Sequence, residues 1–210
     1  MLINQNKDEY RLAMLPYSSA LKALNMQLEI INEEKSATGE YNPIEHIKSR
    51  VKSRKSIARK LIKKGYEPTI ENAVEQLDDI AGMRIICSFP EDIYKIADFI
   101  QENLPIRINR IKDYIKNPKE NGYRSYHMHV EVPVQLYGKT SYVKVEIQIR
   151  TIAMDFWATL EHKIRYKKDS EISSHINNEL AECAELIATL DKRMQSLNTE
   201  IEEAVGNNKK

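Results

Sequence analysis

Two stretches of the chain alternate apolar and polar residues with a period of two, which is the pattern of β-strands that bury one face. They are separated by Tyr137-Gly138-Lys139, a sequence that favours a tight turn, so we predict a hairpin. Its apolar positions are Met128, Val130, Val132, Val143, Val145, Ile147 and Ile149. The intervening positions of the second strand are Lys144, Glu146, Gln148 and Arg150. We therefore expect one face of the hairpin to pack on the core and the other to be entirely polar.

Other segments show the three- and four-residue spacing of amphipathic helices. The clearest are residues 17–31, residues 53–64 and a heptad pattern over residues 176–204. Ser53 and Gly65 fit the N-cap and the C-terminal stop of the second of these helices. Shorter helices are predicted over 71–78, over 91–102 and after Thr151, and further strands over 83–89 and 106–112. The periodicity of residues 44–52 is ambiguous.

This order of elements predicts an α/β (α+β) fold, a mixed β-sheet flanked by helices with N- and C-terminal helical extensions. We assign residues 1–40 to the N-terminal helical extension, 41–168 to the core and 169–210 to a C-terminal helical oligomerisation region. Ile57, Leu61 and Ile62 are expected to face the core, and Phe156 and Trp157 to pack as a core aromatic pair.

Composition narrows the possible partners and the compartment. The chain has 32 Lys and Arg against 31 Asp and Glu, a net charge of +1, so it has no global attraction to nucleic acid or anionic membranes. The distant Cys87 and Cys183 are expected to be buried free thiols. The chain shows neither a signal-peptide pattern nor an apolar stretch of membrane-spanning length, so we expect a cytoplasmic protein.

One segment is strongly basic despite this balance. Residues 48–64 contain nine Lys or Arg and no acidic residue. On a helix that begins at Ser53, Ser56, Lys60 and Lys63 share a face on which cations can contact a polyphosphate. A solvated helix face explains the same pattern equally well.

Two carboxylates stand at unusual places. Asp79 precedes a buried strand, and Glu146 lies in the middle of the polar strand face. Mg²⁺ typically takes one or two protein carboxylates and completes its shell with substrate phosphates and water. The alternative is that Glu146 pairs with Lys144 or Arg150 on an exposed face.

The hexapeptide at residues 122–127 places an aromatic ring, a cation and an imidazole at a loop-to-strand junction. Such a group can stack a purine and hold its phosphates, although each residue alone fits an ordinary core or surface position.

Four motifs together, and a fifth that extends them, resemble the synthetase domain of the RelA/SpoT family. They are Ser49-Arg50-Val51-Lys52-Ser53, Asp79-Ile80-Ala81-Gly82-Met83-Arg84, Gly122-Tyr123-Arg124-Ser125-Tyr126-His127, Val145-Glu146-Ile147-Gln148-Ile149-Arg150 and Trp157-Ala158-Thr159-Leu160-Glu161-His162. The resemblance spans about residues 41–166, in order. The short length and flanking helices are similar to stand-alone small alarmone synthetases, nearest the RelP type.

The resemblance implies a nucleotidyltransferase-like sheet that holds ATP beside GDP or GTP. It implies that the ATP-binding residues are Arg50, Lys52, Lys60, Lys63 and Arg84, and that the Mg²⁺ ligands are Asp79 and Glu146. The implied acceptor-binding residues are Tyr123, Lys119, Arg124, His127, Gln148 and Asp155. Two positions depart from related small synthetases, since Asp155 stands where some carry Asn and Lys112 where some carry Arg.

The implied reaction moves pyrophosphate from ATP to the 3′-hydroxyl of GDP or GTP. Glu146 and Asp79 are the catalytic residues, Glu146 accepts the hydroxyl proton and AMP leaves. The leader before residue 41 is too short for the hydrolase domain of the long relatives, so synthesis without hydrolysis is expected. A homotetramer built through helices 17–31 and 176–204 is expected, with no requirement for nucleic acid or membrane.

Two other functions remain open on the sequence. The basic segment and Tyr123 would suit an RNA-binding regulator, although such a protein needs no pair of carboxylates. The terminal heptads would suit an oligomerisation module, although they can equally pack inside the monomer.

Overall fold

The computed structural model describes residues 7–39, 41–166 and 174–207. The elements in chain order are α1 (Lys7–Thr38), β1 (Ile44–Val51), α2 (Arg54–Lys63), α3 (Ile70–Gln76), β2 (Ala81–Cys87), α4 (Pro90–Asn103), β3 (Arg107–Asp113), β4 (Tyr126–Leu136), β5 (Lys139–Thr151), α5 (Ile152–Tyr166) and α6 (Ser174–Asn207). Residues 44–52, whose periodicity was ambiguous, contain the edge strand β1, and most residues of this strand are at least partly exposed.

The five strands form one sheet in the order β1-β2-β5-β4-β3. The central pair, β2 and β5, is parallel, and the other three pairs are antiparallel. This confirms the predicted mixed sheet flanked by helices. The hairpin between β4 and β5 turns at Tyr137 and Gly138, with φ values of 51° and 73°, the two positive values that a type I′ turn requires.

The apolar face of the sheet packs against α1 and α4 in one continuous core. Alternation along β5 buries Val145, Ile147 and Ile149 on this face, while Glu146 and Gln148 point to the opposite one. The stripe of α1, Tyr17, Leu21, Leu24, Leu28 and Ile31, is buried in the same core. The expectation that this stripe forms a subunit interface is therefore wrong, because those side chains are already used within the chain.

Three other expectations about burial are also wrong. Ile62 is 59% exposed and Ala58 takes the third core position of α2, because residues 57, 58 and 61 share its inner face. Trp157 is buried as predicted, but its neighbour Phe156 is 60% exposed, since adjacent helix residues point about 100° apart. Cys183 is exposed, and only Cys87 is buried.

The apolar residues of α6 divide into two groups, and Ala184 is buried in place of the predicted heptad position Cys183. Near its start, Leu180 and Ala184 are buried in a small cluster with Trp157 of α5. Further along, Leu190, Met194, Leu197 and Ile201 are exposed. Among the described residues no helix is both long enough and apolar enough to cross a membrane.

Candidate functional site

A cleft of about 310 Å³ opens on the polar face of the sheet, over β1, β2 and β5. The strand register explains its floor, since Arg50 lies opposite Gly82 on one side and Glu146 lies opposite Gly82 on the other. A Cβ built on Gly82 would meet nothing within 4 Å, so there is open space above the glycine, between Arg50 and Glu146 in the strand register. The predicted site residues that line this cleft are Arg50, Lys52, Asp79, Arg84, Glu146 and Gln148.

Two lysines converge on Asp79 at one end of the cleft. The Ser53 side chain accepts a hydrogen bond from the Ser56 amide and caps α2, which confirms the predicted start of this helix. Lys52 directly follows β1 and Lys60 lies on α2, and the Nζ atom of each is 2.5 Å from Asp79 Oδ2. Burial alone would raise the pKa of Asp79, but the hydrogen bonds and charges of these lysines outweigh burial and hold that pKa below its usual value.

The other oxygen of Asp79 fits a metal ion. Within the described residues, Oδ1 is buried and has no hydrogen-bond partner, which is costly for a carboxylate oxygen unless a ligand completes it. No three His, Cys, Asp or Glu side chains of the described residues are grouped so as to hold a metal. A sparse carboxylate set in a cationic cleft suits Mg²⁺ that arrives with phosphates and takes only one or two ligands from the protein.

Glu146 is held as an anion by its neighbours. Gln148 Nε2 donates to Glu146 Oε2 at 2.9 Å, and His127 Nδ1 lies 3.3 Å from Oε1. Burial alone would raise the pKa of Glu146, but the interactions with His127 and Gln148 lower it to about 2. Lys144 instead pairs with Asp78, and Arg150 pairs with Asp155. The simple ion pair with a strand neighbour considered for Glu146 is therefore not formed.

Tyr123 lies beside Glu146 through a short relay of hydrogen bonds. Its hydroxyl is 2.8 Å from His127 Nε2, and the other ring nitrogen of His127 faces Glu146. The rings of Tyr114 and His127 pack edge-on near Tyr123, and Lys119 Nζ lies 4.6 Å from the Tyr123 ring centroid. The hexapeptide thus forms an aromatic and cationic pocket next to the cleft.

Arg150 organises this pocket, and sequence reasoning did not identify it as a site residue. It is only 3% exposed. Its guanidinium group donates to the following acceptors: Tyr123 Oη at 2.5 Å, Gln148 Oε1 at 2.9 Å, Asp155 Oδ1 at 3.1 Å and Ser125 Oγ at 3.2 Å. The sequence signal for Arg150 was its position on the predicted polar face of β5, but this position does not show that the side chain is buried.

Asp155 lies between two arginines. Its Oδ1 accepts from Arg84 NH1 at 2.9 Å as well as from Arg150. The carboxylate therefore joins Arg84, beside the cleft, to Arg150, beside Tyr123. It holds two cations in place, and the sequence could not reveal this because α5 and β2 are distant in the chain.

Two predicted residues lie away from the cleft. Lys63 is exposed on α2 and is not among the cleft-lining residues. Arg124 points to α6, where its NH2 atom donates to Glu185 Oε1 at 2.7 Å. Lys119 lies between the Tyr123 ring and a second, larger cavity that Asn121 and the start of α6 also line.

The two adjoining parts of this site differ in chemistry. The cleft combines cations with Asp79 and Glu146, which suits a polyphosphate and its metal ion, while the pocket offers an aromatic ring with Lys119 above it, which suits a base and a second anionic group. Glu146 lines the cleft and contacts the pocket through His127. It is therefore placed where groups bound in the two parts would meet.

Comparison with known proteins gives a consistent set of relatives. The family described as the region found in RelA/SpoT proteins matches residues 49–171. The GTP pyrophosphokinase YwaC of Bacillus subtilis (strain 168) is 47% identical over 195 residues, 93% of each chain.

Solved structures agree. Small alarmone synthetase 2 of B. subtilis has a TM-score of 0.82 at 47% identity, over 91% of this chain and 99% of that one. Small alarmone synthetase 1 of B. subtilis, bound to its product pppGpp, has a TM-score of 0.86 at 33% identity, over 93% and 100% of the two chains. The same enzyme bound to AMPCPP has a TM-score of 0.79 at 31% identity, over 94% and 100%.

Proposed function

Because the chain belongs to the RelA/SpoT family, we propose that it is a GTP pyrophosphokinase that makes guanosine penta- and tetraphosphate from ATP and GTP or GDP. The observation that carries this proposal is the position of Glu146, which lines the cationic cleft and is hydrogen-bonded to the Tyr123 pocket through His127. A transfer between two nucleotides requires a group at such a junction. Residues 41–168 are proposed as the synthetase core, and the product as a signal of the stringent response.

ATP is proposed to occupy the cleft. Arg50 and Arg84 would hold the adenine. Lys52 and Lys60 would break their ion pairs with Asp79 and bind the phosphates of ATP instead. Lys63 would reach the outermost phosphate from the exposed face of α2. Mg²⁺ would be held by Asp79 and Glu146, and when bound it neutralises charge on the transferred phosphates. The buried Asp79 Oδ1, which has no partner among the described residues, supports this assignment.

The acceptor nucleotide is proposed to stack on Tyr123, with Lys119 and His127 near its phosphates and Gln148 bordering both nucleotides. Asp155 is proposed to act on the acceptor through Arg150, which holds the Tyr123 hydroxyl. This arrangement would place the 3′-hydroxyl beside Glu146 and in line with the β-phosphorus of ATP.

The proposed step forms the bond from the 3′-oxygen to the β-phosphorus and breaks the bond from that phosphorus to the α,β-bridging oxygen, so AMP leaves. Glu146 accepts the hydroxyl proton. With its pKa held at about 2, Glu146 is ionised at neutral pH and is therefore in the form that can accept a proton.

A homotetramer in the cytoplasm is also proposed, with the exposed apolar positions of α6 rather than the buried stripe of α1 at the interface. A monomeric mass at micromolar concentration would contradict it. The RelP subtype and the absence of hydrolase activity stay predictions.

The direct test mixes purified protein with ATP, GDP or GTP, and Mg²⁺, and separates the nucleotides. Formation of AMP together with a 3′-pyrophosphorylated guanosine nucleotide is expected, and chelation of the metal should stop it. Release of ADP or phosphate alone would contradict the proposal. Salt-sensitive RNA binding without turnover would favour the RNA-binding regulator instead.

A further inference from the structure

Helix α6 contacts the acceptor loop, defined here as residues 117–125, on both sides of Tyr123. The residue before Tyr123 is Gly122, whose φ is +82°. A Cβ built on Gly122 would lie 2.5 Å from Ala184 Cβ and 3.2 Å from Ala181 Cα, both on α6. The loop backbone therefore lies directly against the helix with no space for a side chain.

The residue after Tyr123 is Arg124, which binds α6 through charge and hydrogen bonds. Its NH2 atom donates to Glu185 Oε1 at 2.7 Å, and its NH1 atom lies 3.5 Å from the Ala184 carbonyl oxygen and 3.1 Å from the Gly122 carbonyl oxygen. Its side chain is 12% exposed, whereas that of Glu185 is 69% exposed. Arg124 thus connects the loop to the helix through an ion pair in which Arg124 is mostly buried and Glu185 is exposed to solvent.

Tyr123 itself packs in the same cluster as α6. Trp157, Leu180 and Ala184 form the buried centre, and Tyr123 packs against it. Trp157 Nε1 donates to the Leu180 carbonyl oxygen at 3.0 Å, which ties α5 to α6 at this place. The position of the Tyr123 ring therefore depends on where α6 lies.

We propose that α6 positions the acceptor-binding ring of Tyr123, with Arg124 as a positioning residue that is held by Glu185 rather than as a ligand of the acceptor phosphates. The inference rests on the proposed function, because it assigns a role in acceptor binding. The Arg124 guanidinium would have to break its ion pair with Glu185 before it could bind a phosphate.

The two roles predict opposite effects of Glu185→Arg. If Arg124 positions the loop, the new cation repels it, the loop shifts and the KM for the acceptor rises. If Arg124 is a phosphate ligand that Glu185 occupies, loss of Glu185 frees it and the KM for the acceptor falls. Because Glu185 is largely exposed, the substitution leaves the folding of the chain intact.

The experiment measures kcat and both KM values for wild type, Glu185→Arg, Arg124→Glu and the double variant, with GDP and with GTP. Partly exposed charge pairs contribute up to about fivefold, so each single variant should raise the acceptor KM by about that factor, with the ATP KM and kcat within about twofold. The double variant restores opposite charges but not the hydrogen bonds of Arg124 to the Gly122 and Ala184 carbonyl oxygens, so it should recover part of the loss relative to Arg124→Glu. The effect should be the same for GDP and GTP, since it acts through the ring and not through a particular phosphate.

Glu182→Arg is the matched control, an exposed glutamate on the same helix with the same change of charge. Its acceptor KM should stay within about twofold of wild type. A fall in the acceptor KM of Glu185→Arg, no recovery in the double variant, or equal loss of all kinetic constants with a lower melting temperature would each overturn the inference. An inactive wild-type protein would instead overturn the proposed function, so the two failures are distinguishable.

Discussion

Arg150→Lys is expected to weaken both the fold and acceptor binding. Arg150 is 3% exposed and donates to four side-chain acceptors, on Ser125, Gln148, Tyr123 and Asp155. Lysine keeps the positive charge, but a single ammonium group cannot span four acceptors that the planar guanidinium reaches. We expect at least two of these hydrogen bonds to be lost.

Hydrogen bonds to charged groups contribute about 1.5–3 kcal/mol each, and partial rearrangement around the ammonium recovers some of this, so the expected loss is about 2–4 kcal/mol. That is a large part of the roughly 5–15 kcal/mol that stabilises a typical domain. With a slope of about 2 kcal/mol per molar urea, the unfolding midpoint should fall by about 1–2 M. The acceptor KM should rise about tenfold, because Tyr123 loses the donor that fixes its hydroxyl.

The assay is urea unfolding followed by tryptophan fluorescence, with steady-state kinetics under native conditions. Arg193→Lys, an exposed position on α6, is the control and should stay within about 0.5 kcal/mol of wild type. An Arg150→Lys protein within that same range, with an unchanged acceptor KM, would show that the guanidinium does not hold the pocket together.

Three further substitutions test other parts of the structure. Glu146→Gln should lower kcat by at least about 100-fold with an unchanged circular dichroism spectrum, and near wild-type turnover would remove Glu146 from the chemistry. Burial raises the pKa of Asp191 in the folded protein, so at pH values above that pKa the ionised carboxylate lowers the free energy of unfolding. This destabilisation disappears at low pH, where the carboxyl group is protonated in both the folded and the unfolded state. Asp191→Asn keeps an acceptor for Thr151 and should therefore raise the melting temperature at pH 7, by an amount that shrinks towards pH 4; a difference that grows on acidification would contradict this. Gly122→Ala should cost about 1–3 kcal/mol in chemical unfolding, from its positive φ and the contact with Ala184, and an unchanged unfolding midpoint would contradict this.

The parts of the fold that the sequence predicted are those set by local rules. Alternation defined β4 and β5, and Ser53 and Gly65 marked both ends of α2 because capping and a left-handed residue act within one helical turn. The polar face with Glu146 followed from the same alternation. These features need no knowledge of distant contacts.

The parts that were missed depend on which surfaces meet. The stripe of α1 has the spacing of either an interface or a core helix, and only the sheet beneath it determines which it is. Arg124 and Asp155 were assigned to the acceptor from the family resemblance, and their partners within the chain, which come from α6 and β2, could not be inferred from it. A polar residue in a motif can thus be identified from sequence, while the atom that it contacts cannot.

The parallel pairing of β2 with β5 also determines when the site can form. These central strands are separated in sequence by α4, β3 and β4, so Gly82 cannot meet Glu146 until all of those residues have been synthesised. The contacts of Lys52 and Lys60 with Asp79 span far fewer residues and can form earlier. Distant strand pairing closes a long loop and is slow, so a chain emerging from the ribosome has its lysines gathered around Asp79 well before it gains Glu146. The cleft of the nascent protein therefore stays incomplete until a late stage of folding.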